Sequence, residues 1–361
     1  MKILIDINHP AHVHYFRNFI KLMEAKGHEF CVVNRDNNII NQLLDFYGIK
    51  HIIRNKRPER KGTITSLLYL IKMTLWCIGK SFSFHPEMYM GFASSSSAIT
   101  SWIFGKPSIL LDDTEFNKMN HKIYMPFCST ILTPFYFRKK LDNDGKKQIN
   151  FNAFIEQLYL HSKYLTGNLQ TIQELGLIQR EYVVIRFSAF DAHHDMMASP
   201  LPEEFKKRII SRVAQRYKVF LSLEKDNGDS FYLPYLVKFS PEKMHDIEAN
   251  AKFLITEGIT MASESFILGV PYLLINPLKC GYIDCQMAKY PNLFYYSTDK
   301  KTIMDIVDKL ISLPNPNVSM LKSETEMSTI NPTDFLIWFV ENYPRSKQIM
   351  QDNPDFQYNF R

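Results

Sequence analysis

No apolar run in this chain is long enough to span a bilayer. The longest, Leu67 to Ile78, is interrupted by Lys72, whereas a membrane helix needs about 20 residues with few charges. Met1 to Ile7 is too short, and at Asp6 too acidic, for a secretory signal. Cysteine is scarce. Cys31, Cys77, Cys128, Cys280 and Cys285 are odd in number and lack zinc-like pairing, which reads as reduced thiols in the cytoplasm. Low-complexity tracts are absent. So is a large excess of one charge: 43 Lys and Arg against 37 Asp and Glu give a formal +6, which points mildly to anionic partners and not to nucleic acid.

What is present is the composition of a folded protein. Hydrophobic residues make up 45% and charged residues 22% of 361, enough chain for two domains of ordinary size. The start, "MKILIDINHPAHVHYFRNFIKLMEAKGHEFCVVN", reads as strand, loop, helix and strand. Lys2–Ile7 is a nearly continuous apolar run, as in a strand buried on both faces. From His12 to Ala25 apolar residues recur at helical spacing, and Gly27 closes the helix. This βαβ unit sets the class as α/β with parallel sheets. A second sheet is expected to open at "REYVVIRFSAFD", after a boundary near Tyr159–Asn168, and to continue at Val219–Leu223, Phe253–Thr256 and Tyr272–Ile275. "NPTDFLIWFVENYP" is a helix announced by Pro332 and Thr333 and stopped at Pro344. The expected domains are therefore 1–160, 161–332 and a C-terminal helix and tail over 333–361.

Ligands of such sheets bind where loops leave the carboxyl ends of strands, and the unusual residues lie there. "DINHPAHVH" carries His9, His12 and His14, which invite a metal. No nearby carboxylate completes a set, and His12 as general base near neutral pH is the more economical reading. "GFASSSS" reads either as ordinary caps or as an anion- or sugar-binding loop. "LLDDTE" brings Asp112, Asp113 and Glu115 to the end of a strand, as acid–base groups or as a solvated turn. Arg186 in "VVIRFSAFD", with Ser188 two residues on, suits a diphosphate or an ion pair with a loop acid. The run His193–Asp195 reads as surface. Asp142 and Asp144 form an Asp-x-Asp pair that reads as a polar turn, so no metal site is expected.

"FLITEGITMASESFILGVPYLLINP" poses the sharpest question, because Glu264 sits among apolar neighbours in a short helix. A helix start capped by Thr260 offers free amides to a phosphate. One turn on, beside Ser263, an ionised Glu264 can accept two hydrogen bonds from vicinal hydroxyls such as those of a ribose.

Together with Gln286 in "DCQMAKY", this stretch resembles the donor-nucleotide motif of GT-B glycosyltransferases, most closely the N-acetylglucosaminyltransferases that form lipid II. The resemblance implies that Glu264 binds the ribose and Gln286 the donor sugar, and it sets His12 beside that family's loop histidine. Across nearly the whole chain "DINHPAHVHYFRNFI", "TMASESFILGVP" and "NPTDFLIWFVENYP" resemble a bacterial and archaeal family of unknown function, number 354. That family is grouped with GT-B proteins and UDP-N-acetylglucosamine 2-epimerases, often among surface-polysaccharide genes. The likeness implies two Rossmann-like domains with parallel sheets facing a central cleft, and a C-terminal helix crossing back to the first. It departs from the lipid II enzymes in the first loop, where "NHPA" replaces a Gly-Gly, and in "RFSAFD", which replaces a glycine-rich phosphate loop.

The expectation is a metal-independent glycosyltransferase of capsule, O-antigen or exopolysaccharide synthesis. It needs no cofactor beyond a nucleotide-sugar donor, expected to be UDP-linked, and takes a glycan or polyprenyl-linked acceptor. His12, or failing that Asp113, would be the base, with Glu115 beside it. A 2-epimerase using His12, Asp113 and Glu115, or a non-catalytic nucleotide- or glycan-binding protein, are the alternatives. Arg54, Lys56, Arg57, Arg60 and Lys61 precede the apolar segment "LLYLIKMTLWCI". That pairing reads as a peripheral contact with an anionic membrane at its cytoplasmic face, or as a buried helix beside a solvated charge run.

Overall fold

The computed structural model describes the chain apart from residues 55–61, 143, 166, 189–200, 224–227 and 279. It divides into two compact units, Met1–Tyr159 with Glu326–Arg361, and Leu160–Thr325.

The first unit is built on strands β1 (Lys2–Ile7), β2 (Glu29–Arg35), β3 (His51–Arg54), β4 (Met88–Phe92), β5 (Ser108–Leu111), β6 (Thr130–Pro134) and β7 (Gln148–Phe151). Between them run helices α1 (Pro10–Ala25), α2 (Asn38–Phe46), α3 (Thr63–Phe84), α4 (Ser95–Ile103) and α5 (Lys118–Tyr124), and α6 (Gln157–Leu160) follows. The strands pair in parallel in the order β3-β2-β1-β4-β5-β6-β7. Ile3, Leu4, Ile5 and Ile7 are fully buried, as a strand covered on both faces requires. Helix α1 begins at Pro10, whose missing N–H costs nothing there, behind His9, whose Nδ1 accepts from the Ala11 amide at 3.2 Å. Gly27, at φ +86°, lets the chain turn back toward β2.

The second unit begins with α7 (Leu169–Glu174) and alternates β8 (Tyr182–Phe187), α8 (Glu203–Ala214), β9 (Lys218–Leu223), α9 (Met244–Ala249), β10 (Leu254–Thr256), α10 (Ile259–Ile267), β11 (Tyr272–Leu274), α11 (Gly281–Lys289), β12 (Phe294–Tyr296) and α12 (Lys300–Ser312). Its parallel sheet runs β12-β11-β10-β8-β9. Val183, Ile185, Ile209, Leu221, Ile255, Leu273 and Val307 fill the core between strands and helices.

After α13 (Val318–Met327) the chain re-enters the first unit with α14 (Pro332–Glu341) and α15 (Arg345–Asp352). Asn331 caps α14 through the amides of Thr333 and Asp334. The Thr333 hydroxyl donates to the Leu158 carbonyl at 2.8 Å, and Lys26 pairs with Glu341 at 2.8 Å.

Each sheet reverses its direction of growth once. In the first, the chain lays β2 and β3 on one side of β1 and then adds β4 on the other. In the second, β9 lies on one side of β8 and β10 on the other. At such a switch point the loops on adjacent strands leave in opposite directions and open a crevice. The loops after β1 and β4 flank the first switch point. Those after β8 and β10 flank the second.

Candidate functional site

At the first switch point Asp6, fully buried, gathers its neighbours. Its Oδ2 accepts from Ser94 Oγ at 2.5 Å, Ser96 Oγ at 2.7 Å and Asn8 Nδ2 at 3.1 Å, and Oδ1 faces Arg54. Ser94 also caps α4 by accepting from the Ser97 amide. The serine run is thus a cap and a set of partners for a buried carboxylate. Arg54 is 3% exposed and paired with Asp6. A charge held there cannot meet a membrane surface, which corrects the expectation for that residue. Lys56, Arg57, Arg60 and Lys61 lie outside the described residues, as does the His193–Asp195 run.

The three histidines of the first loop go three ways. His9 caps α1, and His14 stacks on Tyr159 at 5.3 Å beside Arg17. His12 is buried, packs on Phe92 at 4.8 Å, and takes the Asn8 amide on Nδ1 at 3.3 Å. Burial, then His9 and Arg35, hold its pKa well below the usual histidine value. A neutral imidazole that accepts on Nδ1 carries its proton on Nε2. In that tautomer His12 presents an Nε2–H donor.

The carboxylates after β5 also separate by role. Asp112 accepts from Tyr124 Oη at 2.6 Å, His121 Nε2 at 3.1 Å and the Thr114 amide at 2.8 Å. Glu115 accepts from the Arg138 amide and ties down the loop after β6. Asp113 is buried, with the Thr114 hydroxyl on Oδ1 at 2.9 Å. Burial, reinforced by the negative charge of Asp112, raises its pKa to about 7. That is where a general base or acid works best near neutrality.

In the second unit, Arg186, the penultimate residue of β8, donates to Ser222 Oγ at 2.8 Å across to β9. The Ser188 amide donates to Glu257 Oε2 at 2.8 Å. Glu257, which sequence reasoning passed over, is buried beside the switch point. Its Oε1 has no hydrogen-bond partner among the described residues, and burial raises its pKa to about 7. The signal was a second acid in "TEGITMASE", indistinguishable in sequence from a solvated loop residue.

Helix α10 starts at Gly258, with no side-chain cap. Thr260 is the second residue of the helix and does not cap it, so that expectation is corrected: Gly258 holds the capping position and its own amide donates to Thr256 Oγ1 at 2.8 Å. The first-turn amides of α10 therefore carry no side-chain cap. Ser263 is fully buried and accepts from Gln286 Nε2 at 2.9 Å, while Tyr272 Oη donates to Gln286 Oε1 at 2.9 Å. These bonds use one of the two N–H donors and one of the two lone pairs of the Gln286 amide. Glu264 is buried, with Oε1 3.2 Å from His245 Nε2 of α9. The burial of a carboxylate in so apolar a helix is thereby matched by a polar neighbour.

The model of a family described as protein of unknown function, DUF354, matches residues 1–330. The chain belongs to that family. An uncharacterized protein of Methanocaldococcus jannaschii is 22% identical over 95% of this chain and 98% of its own. Among solved structures, the UDP-N-acetylglucosamine 2-epimerase of Rickettsia bellii superposes with a TM-score of 0.70 at 13% identity, over 97% of this chain and 98% of that one. A glycotransferase of kitacinnamycin gives 0.62 at 12% identity, over 96% and 98%. The M. jannaschii UDP-GlcNAc 2-epimerase in complex with UDP-GlcNAc and UDP gives 0.63 at 11%, over 91% and 99%. These likenesses establish the GT-B fold for this DUF354 protein.

Proposed function

We propose that this DUF354 protein is a nucleotide-sugar-dependent glycosyltransferase. One observation carries the reading: the Glu264 carboxylate lies one turn beyond an α10 N-terminus without a side-chain cap, on the loop that leaves β10 at the switch point. The helix amides would receive a phosphate and Glu264 the ribose hydroxyls, with His245 against its Oε1. Arg186, Ser188 and Thr260 would add donors as negative charge builds on the leaving diphosphate. Ser263 and Gln286 would set the floor on which the sugar rests.

In the first unit Asp113 takes the role of base for an acceptor hydroxyl, with His12 as a donor from Nε2 and Glu115 as the residue that holds the loop. The chemistry asks nothing of a metal: the Asp-x-Asp acid Asp142 accepts from the Lys147 amide and closes a turn. UDP is the nucleotide and a surface-polysaccharide precursor the acceptor in this reading.

The test is a thermal-shift panel of nucleoside diphosphates and nucleotide sugars. UDP should stabilise the wild type, and Glu264→Ala should weaken binding at least tenfold, the loss of about 1.5–3 kcal/mol expected for hydrogen bonds to a charged group. No response to any nucleotide would end the proposal. Binding without turnover in donor–acceptor screens would leave a binding protein. The fold likeness to the R. bellii epimerase supports a second reading, epimerisation at C2. Incubation with UDP-N-acetylglucosamine alone separates the two, since only an epimerase changes the sugar without an acceptor.

A further inference from the structure

We infer that the first unit docks on an anionic lipid bilayer through the outer face of α3, α4 and α5, with the lysine-lined cavity beside α5 receiving a lipid phosphate. A surface helix normally turns apolar residues inward and polar residues outward. Helix α3 does the first: Met73 and Cys77 are buried. It does not do the second. Ile64, Leu67, Leu68, Ile71, Leu75 and Phe82 are all exposed, Ile64 by 75% and Leu75 by 62%. At 100° per residue these six fall within a stripe roughly 100° wide, beside the face that buries Met73, Thr74, Cys77 and Ser81.

The stripe continues onto the neighbouring helices. Phe82 meets Phe104 at 5.2 Å, just past α4, whose Trp102 is 62% exposed beside Ile103. Trp102 in turn meets Phe127 at 5.4 Å, beyond α5, where Met119 is exposed between Lys118 and Lys122. Neither α3, α4 nor α5 contains an Asp or Glu, while Lys72 borders the stripe. An exposed apolar area of this extent marks an interaction surface. The charge distribution decides the occupant. A second copy would set two acid-free, lysine-edged faces against each other, whereas an anionic bilayer satisfies both the apolar stripe and its cationic rim.

The cavity adds a specific contact. About 550 Å³ in volume, it is lined by five lysines, Lys118, Lys122, Lys139, Lys140 and Lys147, with His121, the single acid Asp142 and the apolar Met125, Pro126 and Leu141. Burial and the nearby charge of Lys118 hold the Lys139 pKa below the ordinary lysine value, a strain that a bound phosphate would relieve. Among the described residues no helix is long and apolar enough to cross a membrane, so α3 lies on the surface. The docking face stands on its own geometry. Its consequence, an acceptor anchored in lipid, rests on the transferase reading.

Flotation of the full-length protein with vesicles of phosphatidylcholine alone, or with phosphatidylglycerol added, tests this. Wild type should float with the anionic vesicles. Leu67→Glu/Leu75→Glu, altering two already exposed side chains, should cut partitioning at least tenfold. Lys118→Glu/Lys122→Glu should lower it several-fold on anionic vesicles only. Both variants should keep the wild-type response to UDP, so failure of docking and failure of nucleotide binding are read separately. No flotation of wild type on any vesicle would overturn the proposal, as would equal flotation of the α3 variant. A wild-type dimer by light scattering that Leu67→Glu/Leu75→Glu converts to monomer would overturn it in favour of a second copy.

Discussion

The two switch points are built alike and furnished differently. At the first, Asp6 is neutralised by Arg54 and enclosed by Ser94, Ser96 and Asn8, and on the next loop, after β5, Asp112 is held by Tyr124, His121 and the Thr114 amide. At the second, α10 starts with no side-chain cap and Glu257 keeps a buried oxygen without a hydrogen-bond partner among the described residues. A polar group satisfied by its own fold fixes a loop, whereas one left with open valence invites a ligand. The first crevice is therefore wired mostly by its own residues, and the acid with a raised pKa, Asp113, lies one loop further on, after β5. The second has the capacity of a binding loop.

The largest expected effect breaks that contrast at Asp113. If it is the base, Asp113→Asn should lower turnover about 10²–10⁴-fold while leaving the UDP response in place. Wild-type activity should rise with pH through about 7, as the carboxyl ionises. A pH-rate profile with no group near 7, or full activity in the variant, would move the base elsewhere.

Next comes the frame. Arg54→Met strands the Asp6 charge in the interior, and breaking a buried pair from one side costs about 3–5 kcal/mol. Urea denaturation should show that loss. A change under 1 kcal/mol would mean that the serines alone carry Asp6.

The smallest effect sharpens the role of Glu257. Its carboxyl is held at about 7 against an ordinary 4.5, so the folded protein binds the proton more tightly than the unfolded chain. Its contribution to stability is complete below about pH 4.5 and is lost as pH rises through 7. Glu257→Gln removes that loss and should stabilise the protein at pH 8, on the order of 3 kcal/mol, with no gain at pH 4. Melting curves at both values check the sign.

Much of this was legible in the sequence because it depends on local chemistry. The apolar run of β1, the helical spacing of α1, and the Asn-Pro start of α14 each specify an element through neighbours in the chain. The strand-end loops could be located for the same reason. Their inner wiring could not. Arg54 looked like the first of a basic cluster, but its partner Asp6 is 48 positions earlier and two crossovers away. Thr260 looked like a cap because threonine often is, yet Gly258 holds the extended capping position and the helix begins at Ile259.

The sequence by itself determined the class, the alternation of strand and helix, and the set of acids, histidines and serines available at the strand ends. Periodicity and punctuation act over a few residues and survive in one dimension. Only the tertiary structure decided which of those groups are satisfied and which are not: Asp112 held but Asp113 raised, His12 a donor, Glu264 facing His245, and α3 apolar on the side left bare. Burial and partnership are set by residues distant in the chain, and a proton's affinity follows its surroundings, not its spacing.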